Sequence, residues 1–284
     1  MCKECGCGLP GEYAVSGSEH VHPHAHDHEH GSHDHGHEHA HEHLHSHSHD
    51  HTAVPASDAR RTMEVRQAIL DRNDRLAERN RGFFRARGLL AVNFLSSPGS
   101  GKTTLLRETA LRLRPKLKAG VVVGDLATDN DARRLRESGA PVVQITTGTV
   151  CHLEAEMVAR AVNQLDLDGV RLLIIENVGN LVCPASYDLG EDLRVVLLSV
   201  TEGEDKPLKY PPMFQSANVV ILSKIDLAEA CGYEREAALE NLRRVAPRAR
   251  LFETSARTGQ GMEAWCDFLV QQSQAIKGRD PLSA

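Results

Sequence analysis

Several stretches of this sequence carry side chains suited to chemistry, and the clearest is built for phosphate. Ser96-Ser97-Pro98-Gly99-Ser100-Gly101-Lys102-Thr103-Thr104 follows an apolar β-rich run and precedes a helical pattern. In such a strand–loop–helix unit the amides of Gly99, Ser100 and Gly101 and the helix N-terminus wrap an anion. Lys102 then reaches the β and γ phosphates, the Thr103 hydroxyl ligates Mg2+, and Thr104 closes the motif. The pattern usually opens on glycine and here opens on Ser96. The intact Gly-Ser-Gly-Lys-Thr-Thr core makes an ordinary turn of small residues the weaker explanation.

A second stretch reads the base. Ser223-Lys224-Ile225-Asp226 follows another strand candidate. A carboxylate at Asp226 accepts from both N1–H and the 2-amino group of guanine, a donor pair that adenine lacks. Lys224 is expected against the base and the loop. Ser223 stands where asparagine is usual, which predicts loss of a loop tether but not of the base contact. Thr254-Ser255-Ala256-Arg257-Thr258-Gly259 follows a further strand, and its Ala256 amide, beside Ser255, is placed to face the guanine O6. Three matches in this order point to GTP rather than ATP.

The hydrolytic groups are less sharply marked. Asp125 ends a strand, and Glu176-Asn177-Val178-Gly179 follows another, where an Asp-x-x-Gly segment places an acid near Mg2+ and a glycine amide at the γ-phosphate. Glu176 for Asp lengthens the reach to the metal. Asp129 and Asp131 lie nearby, at least one of them as a helix N-cap. No water-activating residue is evident, so slow intrinsic hydrolysis is expected.

The remaining stretches suit metal ions. Cys2, Cys5 and Cys7 can close three thiolates on one divalent ion, with Gly6 allowing the bend. Sixteen of the 17 histidines fall between His20 and His51, interleaved with acids. Imidazole suits Ni, Zn and Cu, so this tract predicts many low-affinity sites, emptied by protonation near ~6.5. The seventeenth histidine, His152, adjoins Cys151, and Cys183 lies four residues past Gly179. Cys151, His152 and Cys183 supply three ligands, so a second subunit would complete the shell. Because Cys183 follows the γ-phosphate segment, nucleotide binding is expected to move a metal ligand. The competing explanation makes both cysteines small buried hydrophobes and His152 a capping residue. For Cys231 and Cys266 that packing explanation is preferred, since Cys266 shares an apolar helical face with Trp265, Phe268 and Leu269.

Elements that could position these groups follow from periodicity. Residues 1–9 form a cysteine head, and 10–57 a histidine-rich tail too poor in large aliphatic residues to bury a core, hence expected to be disordered. Residues 58–88 predict a helix on the recurrence of Val65, Ile69, Leu76, Phe83 and Phe84, capped by Ser57 or Asp58 and ended by Gly88. Residues 89–284 alternate strand candidates (89–95, 121–124, 142–145, 172–175, 194–200, 219–222 and 250–252) with helices (102–113, 130–138, 152–164, 234–246 and 261–275). That alternation predicts an α/β, doubly wound, mostly parallel P-loop GTPase domain with its ligands at the carboxyl ends of strands.

Composition excludes some partners. The chain of 284 residues carries a net charge of -6, with ten acids and only Lys3 as a base in residues 1–59. No basic arm argues for nucleic acid, no apolar run approaches a membrane span, and the N-terminus lacks a signal-peptide pattern. Seven cysteines, three of them crowded at the start, suit metal binding in a reducing cytoplasm better than disulfides.

Taken together, the Cys-x-x-Cys-Gly-Cys head, the phosphate loop, Gly-Asp-Leu-Ala-Thr-Asp-Asn-Asp, Cys151-His152, Glu-Asn-Val-Gly-Asn-Leu-Val-Cys-Pro and Ser-Lys-Ile-Asp resemble the HypB family, GTPases that help insert nickel into [NiFe]-hydrogenase. The resemblance spans nearly the whole chain and includes Ser96 and Glu176, both departures from generic GTPases. It implies a dimer-activated P-loop GTPase, related to the nitrogenase iron protein and the signal-recognition GTPases. It also implies a tight nickel site at Cys2, Cys5 and Cys7, and a nickel or zinc site at Cys151, His152 and Cys183 on the dimer interface. Implied partners are a second copy, a HypA-type zinc protein, sometimes a nickel-binding isomerase, and the hydrogenase large subunit. A urease nickel GTPase of the UreG type is disfavoured because its Cys-Pro-His motif is absent. A nickel store with a minor GTPase role is the alternative from another class.

Overall fold

The computed structural model describes residues 14–16 and 56–277; Cys2, Cys5, Cys7 and the tract His20 to His51 lie outside the described residues. In chain order the elements are β1 (Ala14–Ser16), α1 (Ala56–Ala86), β2 (Leu90–Ser96), α2 (Lys102–Leu113), β3 (Ala119–Asp125), α3 (Asn130–Arg136), β4 (Val142–Thr146) and α4 (Ala155–Val162). There follow β5 (Leu172–Glu176), β6 (Leu193–Ser199), α5 (Lys206–Lys209), α6 (Pro211–Gln215), β7 (Val219–Ser223), α7 (Arg235–Val245), β8 (Arg250–Thr254) and α8 (Met262–Lys277).

The eight strands form one sheet in the order β1-β4-β3-β5-β2-β6-β7-β8. Every pairing is parallel except β1 with β4. Central strands are buried on both faces, and their side chains alternate between two helical layers. On β5, Leu172 and Ile174 join the core under α2, α3 and α8, while Leu173 and Ile175 join the core under α1 and α4. A third cluster packs α6 and α7 against β6 and β7. The expected doubly wound sheet is therefore present, and its strand ends gather the predicted ligand loops along one edge.

Several boundaries differ from expectation for physical reasons. Ala14–Ser16, within the tail expected to be disordered, pairs with Thr146, Ile145 and Gln144 of β4. An edge strand offers unpaired backbone groups whatever the composition of the chain that meets it. α1 begins at Ala56, so Ser57 and Asp58 lie inside its first turn instead of capping it. Gly88, at φ 62°, ends it as expected: Gly88 N–H donates to Arg85 O and Leu89 N–H to Phe84 O, a Schellman turn with Phe84 and Leu89 both buried. The inward stripe of α1 is Asn73, Ala77, Asn80 and Phe84, whereas Val65 and Phe83, assigned to it by periodicity, are exposed.

α4 starts at Ala155 and not at residue 152, leaving Cys151 and His152 in a bend ahead of it. The Ala155 amide is held by Asn73 Oδ1 of α1 at 2.9 Å, a cap supplied from another element. β6 stops at Ser199, which forms a capping box with Glu202 and turns Val200 into a short 3-10 helix. The stretch 206–215, unassigned in the sequence, folds as α5 and α6, each with proline in its first turn: Pro207 in α5, Pro211 and Pro212 in α6. Cys266 is buried as expected, but Cys231 is exposed in the turn after β7.

Candidate functional site

The phosphate loop joins β2 to α2, and Lys102 and Thr103 open the helix. Both side chains converge on one carboxylate at the end of β5. Lys102 Nζ lies 2.9 Å from Glu176 Oε1, and the Thr103 hydroxyl donates to the same oxygen at 2.7 Å. Glu176 is fully buried, and its Oε2 has no hydrogen-bond partner. An orphaned, buried carboxylate oxygen beside a threonine hydroxyl is a donor set for a hard cation such as Mg2+. Gly179 packs its backbone on Pro98 of the loop; a Cβ there would meet the Pro98 Cα and N at 3.2 Å. That close approach puts the 176–179 segment against the phosphate loop. Asp125 Oδ1 instead accepts from the Ala127 and Thr128 amides at 2.9 and 3.0 Å, so its carboxylate shapes the β3–α3 turn. Asp129 occupies the N-cap position of α3 without a side-chain cap bond, and Asp131 lies in the first turn. The Thr104 hydroxyl accepts from Arg134 Nη2 at 3.1 Å, tying α2 to α3.

A cavity of about 200 Å³ opens beside the loop, lined by Ser100, Gly101, Thr104, Lys224, Asp226 and Ala256. Lys224 adopts φ 59°, the one non-glycine residue with positive φ among the described residues. That conformation turns its chain across the loop, and Nζ donates to Gly99 O at 2.7 Å. Ser223 Oγ donates to Ser100 O at 2.9 Å, so the tether expected to be lost is made by serine's own hydroxyl. The Ser255 hydroxyl, and after it the Arg257 guanidinium, hold the Asp226 carboxyl below the usual carboxylate range against partial desolvation. Arg257, a residue the sequence reading passed over, contacts Asp226 Oδ2 through Nε at 2.9 Å and Nη2 at 2.8 Å. A larger groove of about 610 Å³ lies away from these residues, between α1 and α4, and includes Arg72, Arg75, Arg79, Phe83 and Arg160.

The third constellation does assemble. One ligand atom each from Cys151, His152 and Cys183 lies within 4.8 Å of the others. His152 is 1% exposed, and neither ring nitrogen has a hydrogen-bond partner. Burying both nitrogens unsatisfied is costly, and a cation held by one of them and the two sulfurs removes that nitrogen's share of the penalty. Tyr187 covers the ring with centroids 3.9 Å apart, and Glu154 Oε1 stands 3.7 Å from Nε2. Soft sulfur and imidazole donors suit nickel or zinc over Mg2+.

Two asparagines connect this cluster to the phosphate segment, and neither was singled out from sequence. Asn177 Oδ1 accepts from the Leu153 amide at 3.1 Å, and Asn180 Nδ2 donates to Cys151 O at 3.3 Å. On α1, Asn80 Nδ2 donates to Ala155 O and Leu189 O, and Asn73 Nδ2 to Asp188 O. Asn73 and Asn80, seven residues apart, share the buried face by which α1 frames the site.

Residues 90–253 match the family described as CobW/HypB/UreG, nucleotide-binding domain. The chain is 50% identical over 221 residues to the hydrogenase maturation factor HypB of Escherichia coli (strain K12), spanning 78% of this chain and 76% of that one. It is similar to the crystal structure of HypB from Helicobacter pylori in complex with nickel, at a TM-score of 0.68 and 43% identity, covering 72% of this chain and 96% of that chain. HypB from Archaeoglobus fulgidus aligns at a TM-score of 0.67 and 41% identity, covering 72% and 99% respectively.

Proposed function

Since this chain belongs to the CobW/HypB/UreG family, and within it to the HypB hydrogenase maturation factors, we propose that it is a GTP-hydrolysing nickel metallochaperone whose metal release is set by the nucleotide. The observation that carries the reading is one short segment. Glu176 at its start contacts Lys102 and Thr103, and Cys183 near its end belongs to the sulfur–imidazole cluster.

The chemistry follows from what each group must give up. The loop amides and Lys102 bind phosphate, which competes with Glu176 for the ammonium. Mg2+, when bound, screens the phosphate charge, with Thr103 and Glu176 as its protein-side oxygens. The Gly179 amide senses the γ-phosphate, a role supported by the close packing of Gly179 on Pro98 of the phosphate loop. Asp226 selects guanine and is ionised through the physiological range. Without an evident water-activating side chain, turnover by the isolated chain is slow.

Nickel is the cargo. Cys151, His152 and Cys183 supply three donors, so a second copy of the chain supplies the rest of a four-coordinate shell. Cys2, Cys5 and Cys7 hold a tight nickel site, and His20 to His51 a reservoir of weaker ones. Zinc competes at the domain site. The reading extends to a cytoplasmic homodimer that meets a HypA-type zinc protein and delivers nickel to the hydrogenase large subunit. No described helix is long and apolar enough to cross a membrane.

The deciding measurement uses the full chain with Cys2, Cys5 and Cys7 replaced by Ser, so that thiolate-to-nickel charge transfer reports on Cys151 and Cys183. Nickel affinity is titrated with GDP and with a non-hydrolysable GTP analogue. A difference is expected; equal affinities would sink the gating.

A further inference from the structure

The route from nucleotide to metal through Cys183 moves one ligand of three. Cys151 and His152 sit on a separate loop after β4, and a site whose ligands move apart at random would lose metal in every state. What holds that loop is visible in the hydrogen bonds. The Leu153 amide precedes α4 and has no place in its ladder; Asn177 Oδ1 takes it at 3.1 Å and takes the Val178 amide at 3.0 Å. The carbonyl of Cys151 accepts from Asn180 Nδ2 at 3.3 Å, while Asn180 Oδ1 accepts from the Val182 amide at 2.8 Å. The two grips fall on either side of His152. Asn177 is itself fixed below by Asn93, Nδ2 to Oδ1 at 3.3 Å.

Resting on the gating reading above, we propose that Asn177 and Asn180 are positioning residues that clamp Cys151–Leu153 to the γ-phosphate segment, so that all three metal ligands respond to the nucleotide together. Asn177 directly follows Glu176, whose hold on Lys102 weakens when the ammonium turns to phosphate. A buried amide left without its acceptor is unfavourable, so the Leu153 segment follows Asn177. α4 beyond it stays, because the Ala155 amide is held by Asn73 of α1. His152 thus lies between the two grips of the moving segment, and the fixed one begins two residues past Leu153, at Ala155.

The first test needs no substitution. Hydrogen exchange of metal-free, full-length protein is followed at Leu153 and Ala155 with GDP and with a non-hydrolysable GTP analogue. Leu153 and Ala155 both stay protected in the two states, because the Leu153 amide travels with its acceptor. Loss of Leu153 protection in one nucleotide state means that Asn177 moves without it and overturns the clamp. The second test measures the ratio of nickel affinities in the two nucleotide states in the Cys2/Cys5/Cys7→Ser background. Coupling of the usual size makes this ratio about 5- to 150-fold in the unaltered clamp. Asn177→Ala and Asn180→Asp each bring it several-fold closer to one. Asn180→Asp is the discriminating variant, because aspartate still accepts from Val182 but cannot donate to Cys151 O. If it keeps the full ratio, Asn180 only shapes its own turn and the clamp is refuted. A ratio of one in the unaltered clamp instead refutes the gating reading, whatever Leu153 does.

Discussion

Lys102 and Glu176 form a buried ion pair whose removal has a calculable cost. Glu176 is 0% exposed and Lys102 10%, so solvent screens the pair little. Lys102→Met keeps the volume of the chain and deletes only the charge, leaving the carboxylate with the Thr103 hydroxyl alone. Breaking one partner of a buried pair typically costs about 3–5 kcal/mol, and the surviving hydroxyl bond puts this case near the lower end. For a domain of this size about 3 kcal/mol is a loss of about 6–12 °C in melting temperature. Lys102→Met/Glu176→Gln removes both charges and should recover most of it, with an interaction energy of about 2 kcal/mol in the double-mutant cycle. The assay is thermal unfolding in EDTA without nucleotide. Additive single-variant effects, or a Lys102→Met protein as stable as its parent, would refute the pair and with it the idea that Glu176 occupies the lysine until phosphate arrives. A positive result has a functional corollary: Lys102→Met abolishes hydrogenase maturation while sparing nickel capacity, whereas survival of maturation makes storage the main role.

Asp226→Asn exchanges an acceptor for a donor facing the 2-position of the base, so GDP affinity falls at least about 100-fold and xanthine nucleotides gain; competition with labelled GDP measures both. Because the folded Asp226 carboxyl lies below its usual value of 3.8, its contribution is complete above the unfolded value, ~3.9, and disappears only as pH falls through the folded one. Guanine selectivity should therefore be level from pH 8 to 5, and a loss near pH 6 would contradict the assignment. Burial raises the Cys266 thiol to about 11, so alkylation at pH 8 should label exposed Cys231 in the native protein and reach Cys266 only on unfolding, as peptide mass analysis would reveal. Trp265→Ala, which empties the core between Phe94 and Phe252 and strands the Thr109 hydroxyl, should cost about 3–5 kcal/mol in denaturant melts with little change in GDP affinity. Deleting residues 20–51 should lower the number of nickel ions bound and leave GTP turnover intact; a large fall in turnover would place the tract in the catalytic machinery.

What the sequence made legible was whatever is local. Glu176 ends β5, and Lys102 and Thr103 open the helix past the loop after β2; both places were readable because parallel strands write themselves as apolar runs, and a loop follows each run. Cys151, His152 and Cys183 were readable as residue types, though their meeting depended on two loops that periodicity does not join. The polar framework was not legible. Asn73 and Asn80 face inward from a helix whose periodicity pointed to Val65 and Phe83, because asparagines bonded to loop carbonyls and amides pack as core. β1 escaped detection because three residues carry no period, and its pairing depends on β4's open edge.

The alternation of a β-strand explains why a nucleotide and a metal can share one segment. On β5 the even positions Leu172 and Ile174 face the layer of α2, and the odd positions Leu173 and Ile175 face the layer of α4. The ladder continues one residue past the strand, where the Asn177 amide donates to Phe94 O. Glu176 therefore points to the helix that opens with Lys102, and Asn177 to the loop that precedes α4. A shift at this strand end is felt on both faces of the sheet at once, one residue apart. The Glu at 176 fits the same geometry. One methylene shorter, an aspartate at a buried strand end would fall short of meeting both the lysine and the threonine, and the segment would lack the contact that ties its resting position to an empty phosphate loop. The departure from the generic GTPase motif thus supplies the resting contact that the proposed switch requires: the segment is held by Lys102 and Thr103 while the phosphate loop is empty.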